Sequence, residues 1–317
     1  MKNIWRRSMT NASPDALNSQ RSPIAEGLIF ATLAYVLWGV MPVYLKALSD
    51  VSALEVLAHR IFWSVPFGAI IISLRNQWAE VFAALTDRRV LVMLALSALA
   101  IALNWLIYVW SVLNERVLEA SLGYYINPLM YVATGVFIMG EKLRRMQIIS
   151  VALATAGVLT LTFGAGVFPF VSLALALLFT AYGYIRKTTN VGAMPGLFVE
   201  VLLLAPVALI YAIWLMSAGK AAFLSGSLST DGLLLLAGPF TVIPLVCFAL
   251  GARRLKLSTI GFLQYIAPTM QFFFGLYYGE PFTLYHGVCF GLIWLALAIF
   301  SVDAVMANKK ARANQAA

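Results

Sequence analysis

Ten apolar runs, each near the length of a membrane-crossing helix, dominate this chain and leave few folds open to it. A window of about 20 residues finds them at 27–48, 57–74, 90–112, 118–139, 146–163, 168–185, 196–217, 232–251, 258–278 and 284–303. At a rise of about 1.5 Å per residue, a run of that length crosses about 30 Å of hydrocarbon. The runs at 57–74 and 146–163 are the short ones. No strand-like alternation of a barrel is present, and lipid offers no partner to a free backbone group, so the runs are expected to be helices. Composition points the same way: 62% of residues are hydrophobic and only 11% charged. A soluble domain holds about 45–50% and about 25%. Its polar surface could not cover this excess, whereas a bilayer solvates it. The links between runs are short, which leaves no room for an inserted soluble domain.

The net charge of +9 raises the question of nucleic acid. The placement of the basic residues excludes it, because they sit in short links between apolar runs. Four Lys and Arg residues fall in the polar tail 1–26, three in Arg75–Arg89, three in Lys142–Arg145, two at Arg186 and Lys187, three in Arg253–Lys256 and three in Lys309–Arg312. These 18 lie on one side of a ten-span chain, against Lys46, Arg116 and Lys220 on the other, with Arg60 inside a run. The positive-inside rule then puts both termini in the cytoplasm. Residues 1–26 lack the apolar core of a signal peptide and read as a flexible cytoplasmic tail. Residues 304–317 read as a second tail. The two cysteines, Cys247 and Cys289, lie inside apolar runs and fit no disulfide or metal spacing.

The chain also repeats itself. Ala120-Ser121-Leu122-Gly123-Tyr124, with Pro128 and Gly140-Glu141 beyond it, parallels Ser258-Thr259-Ile260-Gly261-Phe262, with Pro268 and Gly279-Glu280. More weakly, Trp38-Gly39 parallels Tyr182-Gly183, and Arg60 with Pro66 parallels Glu200 with Pro206. Two halves of five helices each, 27–163 and 168–303, insert in opposite directions because five is odd. That is an inverted-topology repeat, an architecture that places a transport site near the midplane between its halves.

Five stretches stand out as ordered motifs: Trp38-Gly39-Val40-Met41-Pro42-Val43-Tyr44-Leu45-Lys46, Ala58-His59-Arg60-Ile61-Phe62-Trp63-Ser64, Asn104-Trp105, Leu118 through Leu129, and Gly261 through Thr269. They resemble the RarD proteins, the "chloramphenicol-sensitive" branch of the EamA-type drug/metabolite transporter superfamily. The resemblance runs from about residue 24 to about residue 305 and is poor only between Ser217 and Thr230. It implies ten helices in two EamA-like halves and permease activity in the bacterial inner membrane. It implies no substrate.

Motifs for catalysis are missing: there is no phosphate loop, no H-E-x-x-H and no Cys-x-x-Cys. With His59 and His286 as the two histidines, a metal enzyme has little to work with, and no cofactor is expected. Charged residues inside runs are rare. His59, Arg60 and Glu200 are therefore candidates for a charged pathway or gate, since a charge at that depth needs water or a partner. Their bland alternatives are a salt-bridge clamp between the halves or snorkelling of Arg60 to the headgroups. Matched repeat positions and opposite charge predict that Arg60 and Glu200 face each other. Pro128 and Pro268 free the carbonyls of Tyr124 and Gln264, giving either polar patches or plain packing kinks. Trp38, Asn104, Tyr108, Asn127, Tyr182 and Gln264 are the candidate substrate-binding residues, an aromatic-walled set with a few amides. Gln271 adds a further amide at span depth. Gly39, Gly123, Gly157 and Gly261 suit close helix approach. The expected function is a secondary transporter exporting small metabolites or drugs, with protons as the candidate coupling ion and the lipid bilayer as its surroundings. A passive facilitator or channel is the alternative.

Overall fold

The structure is a computed structural model that describes residues 14–139, 143–164, 166, 168–252, 254–255 and 263–316. The expected markers Gly140-Glu141, Ser258 through Phe262 with Gly261 among them, and the basic residues Lys142, Arg253 and Lys256 lie outside them. All regular structure among the described residues is helical. In chain order the helices are α1 (Pro14–Gly39), α2 (Met41–Lys46), α3 (Ala53–Leu74), α4 (Trp78–Thr86), α5 (Arg88–Leu113) and α6 (Val117–Met139). They continue with α7 (Arg145–Gly164), α8 (Phe170–Thr188), α9 (Ala193–Ser217), α10 (Leu228–Ala252), α11 (Ile266–Tyr277) and α12 (Leu284–Ala316). Eight helical stretches are long and apolar enough to cross a membrane. Their outward faces carry exposed Leu74, Phe163 and Ile210, a surface stable only in lipid. The protein is an integral membrane protein.

Local chemistry sets several helix ends. Ser52 caps α3 by accepting the Glu55 N–H at 3.3 Å, and Asp87 caps α5 by accepting from Arg89 and Val90 at 2.9 and 3.1 Å. Four features depart from the sequence reading. The run 27–48 is divided at Val40 into α1 and α2, because Pro42 cannot donate to the carbonyl four residues back. Helix α1 begins at Pro14, so residues 14–26 are helical rather than a loose tail; proline at a first helical position fits its fixed φ. Helix α12 likewise carries through 304–316. The link after α3 holds α4, a short helix that buries Val81 and Ala84 and exposes Phe82.

The packing is set by contacts between distant helices. Helix α3 lies against α9 and α10, α1 against α10 and α11, α5 against α8 and α9, α6 against α8 and α11, and α7 against α12. Glycines sit where backbones come closest. A Cβ on Gly123 would stand 2.8 Å from the Ser172 carbonyl of α8, and one on Gly39 2.6 Å from Met270 Sδ of α11, so a side chain at either place would push the helices apart. Two buried carboxylates tie links to helices. Glu280 accepts the N–H groups of Val117 and Leu118 at 2.5 and 2.7 Å, and Glu55 accepts those of Ala222 and Phe223 at 2.8 and 3.1 Å.

Candidate functional site

Arg60 lies two turns into α3 from its cap, about 12 Å along the axis at about 1.5 Å per residue. The backbone around it is ordinary helix, so its position follows from Ser52 and the residue count. It is 5% exposed, which rules out snorkelling to the headgroups. Its Nε–H donates to Thr241 Oγ1 of α10 at 3.2 Å, and its guanidinium carbon stands 4.9 Å from the centre of the Trp105 ring. Tyr44, Tyr108 and Tyr124 surround it closely enough to interact electrostatically. Neither Arg60 Nη1 nor the Tyr108 hydroxyl has a hydrogen-bond partner among the described residues, although both are buried.

The amide of Asn104 joins three helices beside this cluster. Its Nδ2 donates to the Leu175 carbonyl of α8 at 3.0 Å, and its Oδ1 accepts from the Tyr124 hydroxyl of α6 at 3.4 Å. Asn127 is on the Tyr124 side of α6, one turn on, and its buried Oδ1 is without a partner. Trp38 packs on the same apolar cluster as Tyr108 and Tyr124 and against Phe248 at 5.8 Å. The carbonyl of Trp38, orphaned by Pro42, accepts from Gln271 Nε2 at 3.1 Å.

Glu200 forms a second focus and corrects the expected pairing with Arg60. It is fully buried on α9 and accepts a short hydrogen bond from the Ser97 hydroxyl of α5. Its ion-pair partner is Arg186 of α8, Nε to Oε1 at 3.6 Å, and the Tyr182 hydroxyl donates to its other oxygen at 3.4 Å. Arg186 also donates to the carbonyls of Gly192 and Ala193 at 3.2 and 3.0 Å. The sequence reading treated Arg186 as one more loop charge. Its position in the last turn of α8 lets it reach back one turn into the bundle instead. Ring contacts join the two foci: Tyr108 to Tyr124 at 5.7 Å, Tyr124 to Phe179 at 6.0 Å, and Phe179 to Tyr182 at 6.2 Å.

Two candidates stand outside these contacts. His59 is next to Arg60 in sequence but about 100° around the helix. Its Nδ1 accepts from Trp63 Nε1 at 3.0 Å and its ring packs on Phe223 at 4.8 Å. Gln264 occupies the turn before α11 and is bonded to Tyr265, which stacks on Tyr125 at 6.3 Å. Pro268 falls in the first turn of α11, where a missing N–H breaks no helical bond, whereas Pro128 is inside α6 as expected. A small space of about 10 Å³, room for about one water, lies between α3, α9 and α10 beside Ser64 and Thr241. A larger groove of about 470 Å³, lined by Leu54, Trp110 and Tyr211, opens on the apolar exterior and touches none of these polar groups. Among the described residues no group of three or more His, Cys, Asp or Glu is placed to hold a metal ion.

Residues 25–163 match the EamA-like transporter family. A transporter of Vibrio cholerae, described as uncharacterized, is 44% identical over 288 residues, 90% of this chain and 95% of that one. The protein RarD of Salmonella typhi is 42% identical over 286 residues, 90% and 97% of the two chains. A solved crystal structure covering 87% of this chain and 96% of its own superposes with a TM-score of 0.57 at 18% identity, which is a likeness of fold alone.

Proposed function

This chain belongs to the EamA-like transporter family, with the RarD proteins, and we propose that it is a secondary transporter exporting small metabolites or drugs across a bacterial inner membrane. The observation that carries this reading is a line of polar and aromatic groups through the bundle: Tyr108 and Asn104 meet Tyr124, Phe179 links Tyr124 to Tyr182, Tyr182 bonds to Glu200, and Arg60 stands over Trp105, which shares α5 with Asn104 and Tyr108. Polar groups at membrane depth are costly and concentrate where a solute or ion passes.

The packing supports two inverted halves, 27–163 and 168–303, with ten spans, and the one-sided basic residues support both ends in the cytoplasm. Exchange each long helix for its counterpart five spans later and the principal neighbours map onto one another. The α1–α10 contact becomes α8–α5, α3–α10 becomes α9–α5, and α6–α8 becomes α11–α1, while α3–α9, α6–α11 and α7–α12 map to themselves. Such a dyad lets one half rock on the other about a central site. Trp38, Asn104, Tyr108, Asn127 and Tyr182 line that site, with Gln264 at its margin. Glu200, held by Ser97, Tyr182 and Arg186, is the carboxylate through which a proton couples to the solute.

The test is counterflow in proteoliposomes across a metabolite and drug panel. A carrier accumulates labelled solute against an internal unlabelled pool, with saturation, and an imposed pH gradient drives the flux. Flux that never saturates and shows no counterflow would assign a channel instead, and indifference to the pH gradient would remove the proton.

A further inference from the structure

We propose that the transported solute carries a carboxylate, and that this group docks on the guanidinium of Arg60 and the hydroxyl of Tyr108. The inference rests on the transporter reading and names its substrate class.

A cation in the middle of a membrane bundle calls for an anion, and none is supplied among the described residues. The ion pairs among the described residues join Lys46 to Glu115, Arg116 to Glu119, Arg144 to Asp303, Arg186 to Glu200 and Arg254 to Glu26. Arg60 is in none of them. The buried acid at its repeat-related position, Glu200, is already engaged by Arg186. Thr241 and the face of Trp105 offset part of the desolvation of Arg60, yet a charge so placed and left unpaired is strongly destabilising.

Two of the orphan atoms share one chemistry. Arg60 Nη1 and the Tyr108 hydroxyl are both hydrogen-bond donors, both buried, and both without a partner among the described residues; Tyr108 stands one turn along α5 from Trp105, over whose ring the guanidinium lies. A native interior rarely leaves such groups unmet unless something else meets them. One guanidinium balances a single negative charge. A phosphate dianion would leave a net negative charge in the bundle, so a carboxylate is the oxyanion that fits. The walls define the rest of the solute. Trp105 lies over the cation, Tyr108 follows it by one turn on α5, and Tyr124 and Phe179 continue the row in ring contact, which suits a small flat apolar body.

The experiment compares N-acetylphenylalanine with its amide, which has the same shape and no charge, and with phenyl phosphate. Binding is read as thermal stabilisation of the full-length protein in detergent, and transport as counterflow in proteoliposomes. The wild type should bind the carboxylate about 10–100-fold more tightly than the amide, as a charge-assisted hydrogen bond provides, and more tightly than the phosphate. Arg60→Gln should abolish that preference. Tyr108→Phe, which keeps the ring in place, should reduce it by about 2–10-fold. Equal affinity for acid and amide in the wild type, an unchanged preference in Arg60→Gln, or no binding of the carboxylate overturns the proposal. Counterflow of the amide as fast as the acid would sink the anion site and leave the transporter standing. Arg60-dependent binding of the acid with no counterflow of any panel member would do the reverse.

Discussion

Removing the carboxylate of Glu280 should cost this protein a large part of its stability. Glu280 is 7% exposed, and its two oxygens accept from Val117 at 2.5 Å and from Leu118 at 2.7 Å. Those N–H groups belong to the first turn of α6 and have no acceptor within the helix. They also mark its positive end, where a carboxylate is favoured. Glu280→Ala leaves two buried donors unmet. At about 1–3 kcal/mol each, the loss is about 2–6 kcal/mol. Glu280→Gln keeps one carbonyl acceptor, so about half of that loss is expected. Thermal unfolding in detergent, followed by tryptophan fluorescence, should rank wild type above Gln and Gln above Ala. An alanine variant within about 0.5 kcal/mol of wild type, the size of an ordinary surface change, would refute the reasoning. The pH profile gives a second check. Burial raises the Glu280 carboxyl above its ordinary range, outweighing the opposing effect of the Leu118 and Val117 N–H groups and of Lys46, with Glu115 adding to the rise. A raised carboxyl holds its proton more tightly folded than unfolded. Its contribution is therefore complete below the ordinary value of about 4.3 and is lost as pH rises through the folded one. The wild-type advantage over Gln should narrow across that interval, and a widening would contradict the burial account.

Three further outcomes are expected. Arg186→Gln strands the buried Glu200 and should cost about 3–5 kcal/mol, with much of the loss recovered in Arg186→Gln with Glu200→Gln; a double variant as unstable as the single one would show that the pair is not the reason. Asn127→Ala and Gln264→Ala should slow counterflow at normal membrane levels, Asn127→Ala more because its oxygen is buried and unmet, and near-normal transport by both would place the site elsewhere. Reporter fusions after residues 50, 115, 165, 225 and 280 should read outside and those after 80, 143, 190, 255 and 310 inside, and an odd number of crossings would break the inverted repeat.

The candidate site was legible in part. Asn104, Tyr108 and Trp38 stood out as polar or aromatic groups at membrane depth, and the structure packs them in one region with Tyr124. Arg60 stood out as a charge inside an apolar run, but its partners did not: Thr241 is 181 positions away, and no local pattern marks it. The expected Arg60–Glu200 pair came from repeat symmetry, which fixes equivalent positions and says nothing about which side chain arrives first. Arg186 reaches Glu200 because its long side chain folds inward from the last turn of α8. A count of loop charges cannot distinguish that arginine from one that stays in water.

Hydrophobic run length by itself determined that this chain lives in a membrane as a helical bundle, because about 20 apolar residues in a row have no other stable home. Capping residues fixed where α3 and α5 start, and the prolines at 42 and 128 fixed where helical bonds are missing, since those effects act within one turn. What the tertiary structure decided was which of the missing bonds are replaced. Gln271 meets the orphaned carbonyl of Trp38, Glu280 meets the free N–H groups of α6, and Arg60 Nη1 and the Tyr108 hydroxyl stay unmet among the described residues. Those partners come from helices far apart in sequence. Their meeting depends on close-packed crossings that only the assembled bundle defines.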